Sequence, residues 1–326
     1  MLVLYRQEGR WEDRMFRELP GFLGPGDCLV LNDSKVFPAR LLGHRAGVRA
    51  LRVGKKNPAR KRHLKGLVEV MLLRPQAGDP SVWQALVRPG RKMHLGERVR
   101  FDEELEAEVV ARGELGERTL RFKFAGDLYE KLDRIGHVPL PPYIRRPDEP
   151  RDRERYQTVF AAHVGSVAAP TAGLHFTGEL LEQCRAAGAQ IARVTLHVGL
   201  GTFQPIHTET IEEHRLHPES FEISEETARK LREARRLVAV GTTSVRTLET
   251  LAPDFGGRVG ETALFIYPGF RFKATGALLT NFHLPRSSLL VLVCAFAGQE
   301  LALKAYRHAV EARYRFYSYG DCMLVL

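Results

Sequence analysis

"VAVGTTSVRTLE", residues 238–249, runs from an apolar segment through one glycine and three hydroxyl side chains into a helix-forming pattern. The stretch predicts a buried strand, a turn at Gly241 and a helix that begins directly after the turn. Beyond residue 156, strand and helix patterns alternate in this way, with Thr177 and Ser224 as predicted N-caps of further helices. Such alternation is typical of an α/β domain.

The segment 67–124 has a different texture, with apolar residues at every second position. Val68, Val70 and Leu72 alternate with other side chains, and glycine-rich turn signals such as "ARGELGE" separate this run from later alternating runs. Several short strands at this spacing predict a small antiparallel barrel or sandwich.

These shifts in pattern predict how the chain is organised into domains. We expect a large α/β domain of mixed α+β content, formed by residues 1–47 and 136–326, and a small β domain inserted at 48–135. Residues 136–156 are rich in proline and charge, which is typical of a linker.

Composition narrows the class of protein. The chain has 326 residues, 44% hydrophobic and 27% charged, which describes a globular protein. The four cysteines are scattered, the N-terminus has no export signal, and the longest apolar run, 287–298, is too short to cross a bilayer. We therefore expect a cytoplasmic protein that is not a membrane protein.

The net charge of the chain is +10, and many of the positive charges lie in one basic stretch. Residues 45–65, "RAGVRALRVGKKNPARKRHLK", contain nine lysines or arginines and no acid. Such a cluster is either a solvated loop or a surface for a polyanion, because bound cations release counterions from phosphates. Composition alone does not choose between a nucleic acid and an anionic membrane.

The opening stretch also suggests a site for an anion. A strand that turns through Gly241 into a helix at Thr242 and Thr243 presents free backbone N–H groups and the positive end of a helix dipole. Arg246 follows within the first turns and is able to grip a carboxylate with two hydrogen bonds. The alternative is an ordinary helix N-cap. No G-K-[ST] follows, so the stretch is not a P-loop.

A second glycine-containing stretch, "HVGLGTFQPI" (197–206), resembles half of a dinucleotide-binding loop. The third glycine and the helix start are missing, because Gln204 and Pro205 continue the turn. Gly199 and Gly201 instead leave room for a ligand near the backbone, with His197 and Thr202 directed into a cavity. The alternative is a structural histidine at a strand end.

Histidines supply the candidates for acid–base chemistry. His175 ends "SVAAPTAGLHF", and His283 follows Asn281 in "LLTNFHLPRSS". Neutral imidazoles suit proton transfer near physiological pH. Neither metal-ligand spacing nor a G-x-S-x-G elbow is present in the sequence, so we expect no metal and no serine nucleophile.

Taken together, these segments resemble the S-adenosylmethionine:tRNA ribosyltransferase-isomerase family of queuosine biosynthesis. The motifs that carry the resemblance run in the family's order from about residue 25 to the C-terminus: "LVLNDSKVFPARL", "ALVRPGRK", "VPLPPYIRR", "RYQTVFA", "SVAAPTAGLHFT", "LHVGLGTFQPI", "VGTTSVRTLE", "LLTNFHLPRSSLLVLVCAF" and "AYRHAVEARYRFYSYGDCML". Any one of them is a weak signal, whereas the ordered set is highly specific.

The resemblance implies a reaction, a substrate and an architecture. The family transfers the ribosyl part of S-adenosylmethionine to 7-aminomethyl-7-deazaguanine at the wobble position of tRNA. The products are epoxyqueuosine in tRNA, adenine and methionine, so S-adenosylmethionine is a consumed ribosyl donor. The family fold is a large α/β domain with a small antiparallel β-barrel inserted. We expect a monomer that works without a metal.

The resemblance also gives roles to the candidate residues. One of His175, His197 and His283 is expected to remove a proton next to the sulfonium, and a second histidine or Asp321 to protonate the departing adenine. The donor-binding residues are expected to be those of the glycine-containing and strand-end segments: Gly199, Gly201, Thr202, Thr242, Thr243, Arg246 and Asn281. Among these, Asn281 suits a base edge, and Thr242, Thr243 and Arg246 suit the carboxylate of methionine.

Two features depart from the family pattern. Family sequences normally carry a further N-terminal segment with an acidic-Tyr-Glu-Leu-Pro element, whereas this sequence starts at "MLVLYRQEGRW", which matches the family residues after that element. The basic stretch 45–65 stands where the family has a short glycine-bearing connection, and we expect it to contact tRNA phosphates.

Two other functions compete with this interpretation. An S-adenosylmethionine-dependent RNA methyltransferase would need a glycine-rich loop after the first long strand, where "VLNDSKV" has no glycine. A non-catalytic RNA-binding protein would explain the charge but not the glycine and histidine segments.

Overall fold

A computed structural model describes residues 1–46, 66–76, 78–113, 116–141, 143–199, 206 and 208–326. The chain divides into two compact units. The larger unit combines Met1–Lys35 with Arg155–Leu326, and the smaller unit is Val36–Glu154. The smaller unit extends beyond the predicted inserted domain, 48–135, at both ends, and it includes most of the proline-rich segment that was interpreted as a linker. The limits 48–135 stay a prediction.

The strands are numbered in chain order. In the described residues they are β1 (Leu2–Tyr5), β2 (Arg10–Asp13), β3 (Asp27–Asn32), β4 (Ser34–Val36), β5 (Arg40–Arg45), β6 (Leu67–Gln76), β7 (Asp79–Arg88), β8 (Arg98–Arg100), β9 (Glu106–Arg112), β10 (Glu117–Lys123), β11 (His163–Ser166), β12 (Gln190–Leu196), β13 (Glu219–Ile223), β14 (Arg236–Val240), β15 (Arg258–Thr262), β16 (Thr275–Asn281) and β17 (Cys322–Val325).

The helices follow the same convention. The α-helices of the described residues are α1 (Leu128–Ile135), α2 (Asp152–Arg155), α3 (Gly178–Ala186), α4 (Glu225–Glu233), α5 (Thr242–Leu251), α6 (Ser288–Ala297) and α7 (Gln299–Glu311). Short 3₁₀ helices span Phe16–Phe22, Gly90–Lys92, Thr171–His175 and Ile211–Glu213. The predicted caps are confirmed: the side chain of Thr177 accepts from the N–H of Leu180, and that of Ser224 from the N–H of Thr227.

One mixed sheet organises the larger unit. Its order among the described strands is β15-β13-β12-β3-β14-β16-β17-β1-β2, and β12, β3, β14 and β16 run parallel to one another. Side chains of β3 alternate between two apolar clusters, with Cys28 and Val30 in one and Leu29 and Leu31 in the other. A central parallel strand is buried on both faces, which explains the continuous apolar run "CLVL".

The smaller unit contains a closed antiparallel barrel. Its described strands follow the order β10-β7-β6-β5-β8-β9. In β6, Val68, Val70 and Leu72 are buried, while the residues between them are partly exposed. This is the period of two expected for a strand with one face on a core. The prediction of a barrel inserted in a mixed α/β domain is therefore confirmed.

No single helix in the described residues is long and apolar enough to cross a membrane; α6 and α7 satisfy length and composition only together, as a pair bent by 115°.

Leu29 tests the importance of the central strand. Leu29→Ala removes a fully buried side chain from β3, so we expect a loss of about 2–5 kcal/mol in the free energy of unfolding. Urea titration followed by circular dichroism measures it. Val259→Ala, at a side chain that is 73% exposed, is the control and should leave the midpoint nearly unchanged. Equal effects of the two substitutions would contradict the placement of β3 at the centre of the core.

Candidate active site

The carboxyl ends of the parallel strands form one edge of the large sheet. Asn32 ends β3 opposite Val194 of β12, and Val240 of β14 lies opposite Leu279 of β16. Ligands of open α/β sheets bind at this edge, outside the carboxyl ends of the strands. The strand order therefore brings together segments that are far apart in the sequence.

A cleft opens at this edge. Its lining comes from segments that sequence analysis singled out, and it consists of Ala169, Pro170, Thr171, Ala172, Val198, Gly241, Thr242, Thr243, Thr280, Asn281, His283 and Leu289. The cleft is thus enclosed by the segment before His175, the end of β12, the start of α5 and the end of β16.

The start of α5 forms one wall of the cleft. Gly241 has φ 88° and ψ 153°, a conformation that only glycine adopts without strain, and it caps the helix without a side chain. Thr242 and Thr243 are buried and open the helix. The first N–H groups of a helix have no partner within it, so this end can receive an anion.

Asn281 forms the opposite wall, and its side chain is 2% exposed. The Nδ2 group donates to the carbonyl of Tyr317 at 3.1 Å and lies 3.2 Å from Nε2 of His175. The carbonyl of Tyr317 fixes the orientation of the amide, because only an N–H group can face it. The other amide atom, Oδ1, is buried and has no hydrogen-bond partner among the described residues.

His283 lines the cleft directly. Its Nε2 shares a hydrogen bond of 2.7 Å with the hydroxyl of Thr280, and its backbone N–H donates to the hydroxyl of Tyr306 at 3.0 Å. Burial lowers the pKa of His283 to about 3. The ring is therefore held in place and neutral at physiological pH.

His175 lies beside the cleft, in contact with Asn281. Burial lowers the pKa of His175 to about 4, and the charge of Asp321 opposes this shift. The ring of Phe16 lies 5.0 Å from the imidazole, centroid to centroid. Burial by itself raises the pKa of Asp321, but hydrogen bonds from Arg315 hold it below its ordinary value. At neutral pH the pair is thus a neutral imidazole near a carboxylate.

His197 has a different environment from the other two histidines. The neighbouring Val198 lines the cleft, whereas His197 is not among its described lining residues. The backbone of Gly165 lies against the imidazole, so close that a Cβ there would be 2.6 Å from Nδ1. Burial and then the nearby His163 lower the pKa of His197. The role of His197 in the site stays a prediction.

Several expected residues fall elsewhere or outside the described chain. Gly199 donates its N–H to Oε1 of Glu219 at 2.8 Å. Gly201, Thr202 and most of the basic stretch, 47–65, lie outside the described residues. Arg45, the first cation of that stretch, is buried and forms an ion pair with Glu97 at 3.0 Å.

Arg246 already has partners within the protein. Its guanidinium donates to Oε2 of Glu219 and to the carbonyls of Leu264 and Thr262, and both partners of the ion pair are buried. Among the described residues it is not part of the lining of the cleft. The guanidinium was predicted to bind a carboxylate of the ligand, but in the structure it binds the carboxylate of Glu219.

With the geometry in place, comparison with known proteins identifies the family. A model of the family described as "Queuosine biosynthesis protein" matches residues 1–325.

The chain belongs to this queuosine biosynthesis family.

Relatives in this family carry an enzyme name. A protein from Solibacter usitatus (strain Ellin6076), named S-adenosylmethionine:tRNA ribosyltransferase-isomerase, is 69% identical over 326 residues, covering 100% of this chain and 92% of the relative. A Thermotoga maritima protein of the same name is 50% identical over 334 residues, with the same shares covered. The crystal structure of S-adenosylmethionine tRNA ribosyltransferase from Thermotoga maritima matches with a TM-score of 0.51 and 40% identity, covering 100% of this chain and 91% of that one.

Two polar residues at this edge of the sheet were not predicted from the sequence. Oδ1 of Asn32 accepts from the N–H groups of Ser34 and Leu196, and its Nδ2 lies 3.3 Å from the hydroxyl of Thr243. Glu219 links Gly199 to Arg246. Asn32 could have been found from the sequence, since it directly follows the buried run "CLVL" and such a position predicts a polar side chain at a strand end. Glu219 could not have been found in this way, because its partners, Gly199 and Arg246, are about 20 or more residues away in the sequence.

Arg246→Ala tests whether the guanidinium supports the fold or holds a ligand. The substitution leaves Glu219 buried without its cation, so we expect the free energy of unfolding to fall by about 3–5 kcal/mol. Denaturant titration measures it, with Lys304→Ala, at an exposed ion pair with Glu300, as a control of little effect. Unchanged stability together with weaker donor binding would show instead that Arg246 contacts the ligand.

Proposed function

We propose that this protein catalyses transfer and isomerisation of the ribosyl part of S-adenosylmethionine onto 7-aminomethyl-7-deazaguanine at the wobble position of tRNA, giving epoxyqueuosine, adenine and methionine. The observation that carries the proposal is the whole-chain match at 69% identity to a relative named for this activity. The cleft at the carboxyl edge of the sheet supports it, because it joins His283 to a helix end that suits an anion.

The donor occupies the cleft in this proposal. Thr242 and Thr243 at the start of α5 receive the carboxylate of its methionine part, without Arg246. Gly199, Gly201 and Thr202 belong to the adjoining glycine-containing segment and leave space for the ribosyl part. Asn281 faces the donor from the opposite wall. The donor is a substrate, and no metal is invoked.

A neutral imidazole starts the reaction. The sulfonium acidifies the neighbouring carbon, and we assign removal of its proton to His283, because this histidine lines the cleft. Its hydrogen bond with Thr280 orients the ring. The electrons released at this carbon drive the departure of adenine, after which the aminomethyl nitrogen of the tRNA base attacks. Ring rearrangement to the epoxide then releases methionine.

Departing adenine takes up a proton, and the imidazolium of His283 that forms in the first step supplies it. The low pKa of Asp321 keeps this carboxyl ionised, so it has no proton to give near neutral pH. Burial likewise keeps His175 neutral, although the charge of Asp321 opposes this shift of its pKa. His175 and His197 remain candidates for the base.

The partner in this proposal is tRNA with the precursor base in its anticodon. The basic stretch 45–65 is the proposed contact for the phosphates, on the evidence of its charge alone. We place the protein in the cytoplasm as a monomer. The methyltransferase and the non-catalytic RNA-binding alternatives are not favoured, since the relatives at 69% and 50% identity are named as ribosyltransferase-isomerases.

A labelling experiment tests the function. The protein is incubated with S-adenosylmethionine labelled in its ribose and with tRNA that bears 7-aminomethyl-7-deazaguanine. Label transferred to tRNA with release of adenine supports the proposal. A labelled methyl group on RNA would indicate the methyltransferase, and binding without turnover the RNA-binding protein.

His283→Gln should lower turnover by about 10²–10⁴-fold, because it removes the proposed base. Affinity for tRNA should be unchanged. Single-turnover kinetics and filter binding measure the two quantities. His308→Gln, at a histidine that contacts Asp13 instead of the cleft, is the matched control. Full turnover in the His283 variant would contradict its role as the base. The base would then be His175 or His197, which His175→Gln and His197→Gln test.

The pH dependence of turnover gives a second test. Burial lowers the pKa of His283 to about 3 and that of His175 to about 4, so both are neutral from pH 8 to about pH 5. The single-turnover rate should therefore stay on a plateau down to about pH 5 and decrease only below it. A decrease with a midpoint near the ordinary histidine value of about 6.5 would contradict a buried neutral base.

The pH dependence of the free energy of unfolding is the control for the pH dependence of turnover. In the folded state these histidines bind fewer protons than in the unfolded chain, so the free energy of unfolding decreases as pH falls from about 6.5 towards 4. Thermal unfolding at each pH separates this effect from the loss of a base.

A further inference from the structure

Asn281 carries a buried acceptor that the protein leaves unused. Its side chain is 98% buried at the cleft, and Oδ1 has no partner among the described residues. The amide does not reverse, because Nδ2 already donates to the carbonyl of Tyr317. A buried carbonyl without a donor lowers stability, and a ligand that brings an N–H or O–H group removes this cost.

The other asparagine in the described chain shows what a structural amide does at the same edge. Oδ1 of Asn32 accepts two backbone N–H groups, at 3.1 Å and 3.0 Å, and its Nδ2 donates to the carbonyl of Leu196 at 3.0 Å. Asn32 is thus satisfied by the protein alone. Asn281 differs in having an acceptor directed at no protein donor.

The start of α5 and this acceptor line the same cleft. The N–H of Gly241 donates to the carbonyl of Leu279 at 2.7 Å, so the end of β14 stays paired with β16 up to the start of α5. Adjacent strands are about 4.8 Å apart, and Asn281 follows Leu279 by two residues on β16. The helix end and the unpaired acceptor therefore face the cleft from the ends of two adjacent strands.

We propose that these two features form a subsite for an α-amino acid zwitterion, the methionine end of the donor. The carboxylate binds the N–H groups of Thr242 and Thr243, and the ammonium donates to Oδ1 of Asn281. The assignment rests on the proposed function, since it orients the donor within that site. It replaces a contact between Asn281 and a base edge.

The chemistry of the donor supports this orientation. Its α-carbon carries an anion and a cationic N–H donor on the same atom, so the two groups reach adjacent strand ends together. Arg246 is occupied by Glu219, which leaves the helix end to receive the carboxylate. The ribose and the adenine offer hydroxyl and amino donors but no anion for α5.

Binding of donor analogues to the unmodified protein tests the subsite. The probes are S-adenosylmethionine, the same molecule without its α-amino group, and the same molecule without its α-carboxylate, measured by calorimetry without tRNA. We expect the analogue without the amine to bind about 10- to 100-fold more weakly, and the one without the carboxylate about tenfold more weakly. L-Methionine alone should compete with the donor.

Asn281→Ala completes the test. It should weaken S-adenosylmethionine as much as removing the amine does, and should not further weaken the analogue that lacks the amine. The matched control, Asn32→Ala, should change the affinities of both ligands by the same factor. Equal affinity of the unmodified protein for the donor with and without the amine overturns the subsite while ribosyl transfer to tRNA continues. If neither donor binding nor transfer occurs, the proposed function fails with it.

Discussion

Parallel hydrogen-bond pairing of β12, β3, β14 and β16 is the constraint on which the candidate site depends. Strands paired in this way all end at the same edge, and each connection must return to the opposite edge before the next strand starts. Residues at the ends of these strands therefore lie along one edge even when about 250 positions separate them, as they do Asn32 and Asn281. The direction of the strands therefore determines where the cleft lies, and the side chains determine what lines it.

The polar groups at this edge divide into those that the protein satisfies and those that it does not. Asn32 and Glu219 hold backbone N–H groups and side chains from neighbouring segments. The N-cap of α5 makes no side-chain hydrogen bond, and Oδ1 of Asn281 has no hydrogen-bond partner among the described residues. The first kind fixes the positions of the strand ends, and the second kind is what remains for a ligand.

Local patterns in the sequence predicted much of this architecture. The alternation of Val68, Val70 and Leu72 gave the β unit, and the strand-turn-helix at Gly241 gave the start of α5, since both depend on adjacent residues. The role of Arg246 was not predictable in this way. Its partner Glu219 comes from another strand, and only the tertiary fold shows that the guanidinium is occupied. Likewise, the direction of His197 depends on how the chain leaves β12, which no local period determines.

The buried pair of Arg246 and Glu219 also limits how the sequence can diverge. Glu219 uses one oxygen for Arg246 and the other for the backbone of Gly199, so both groups lose a partner if it is replaced. A change at either position alone leaves a charge in the interior. The two positions are therefore expected to change only together, although neither is among the described residues that line the cleft.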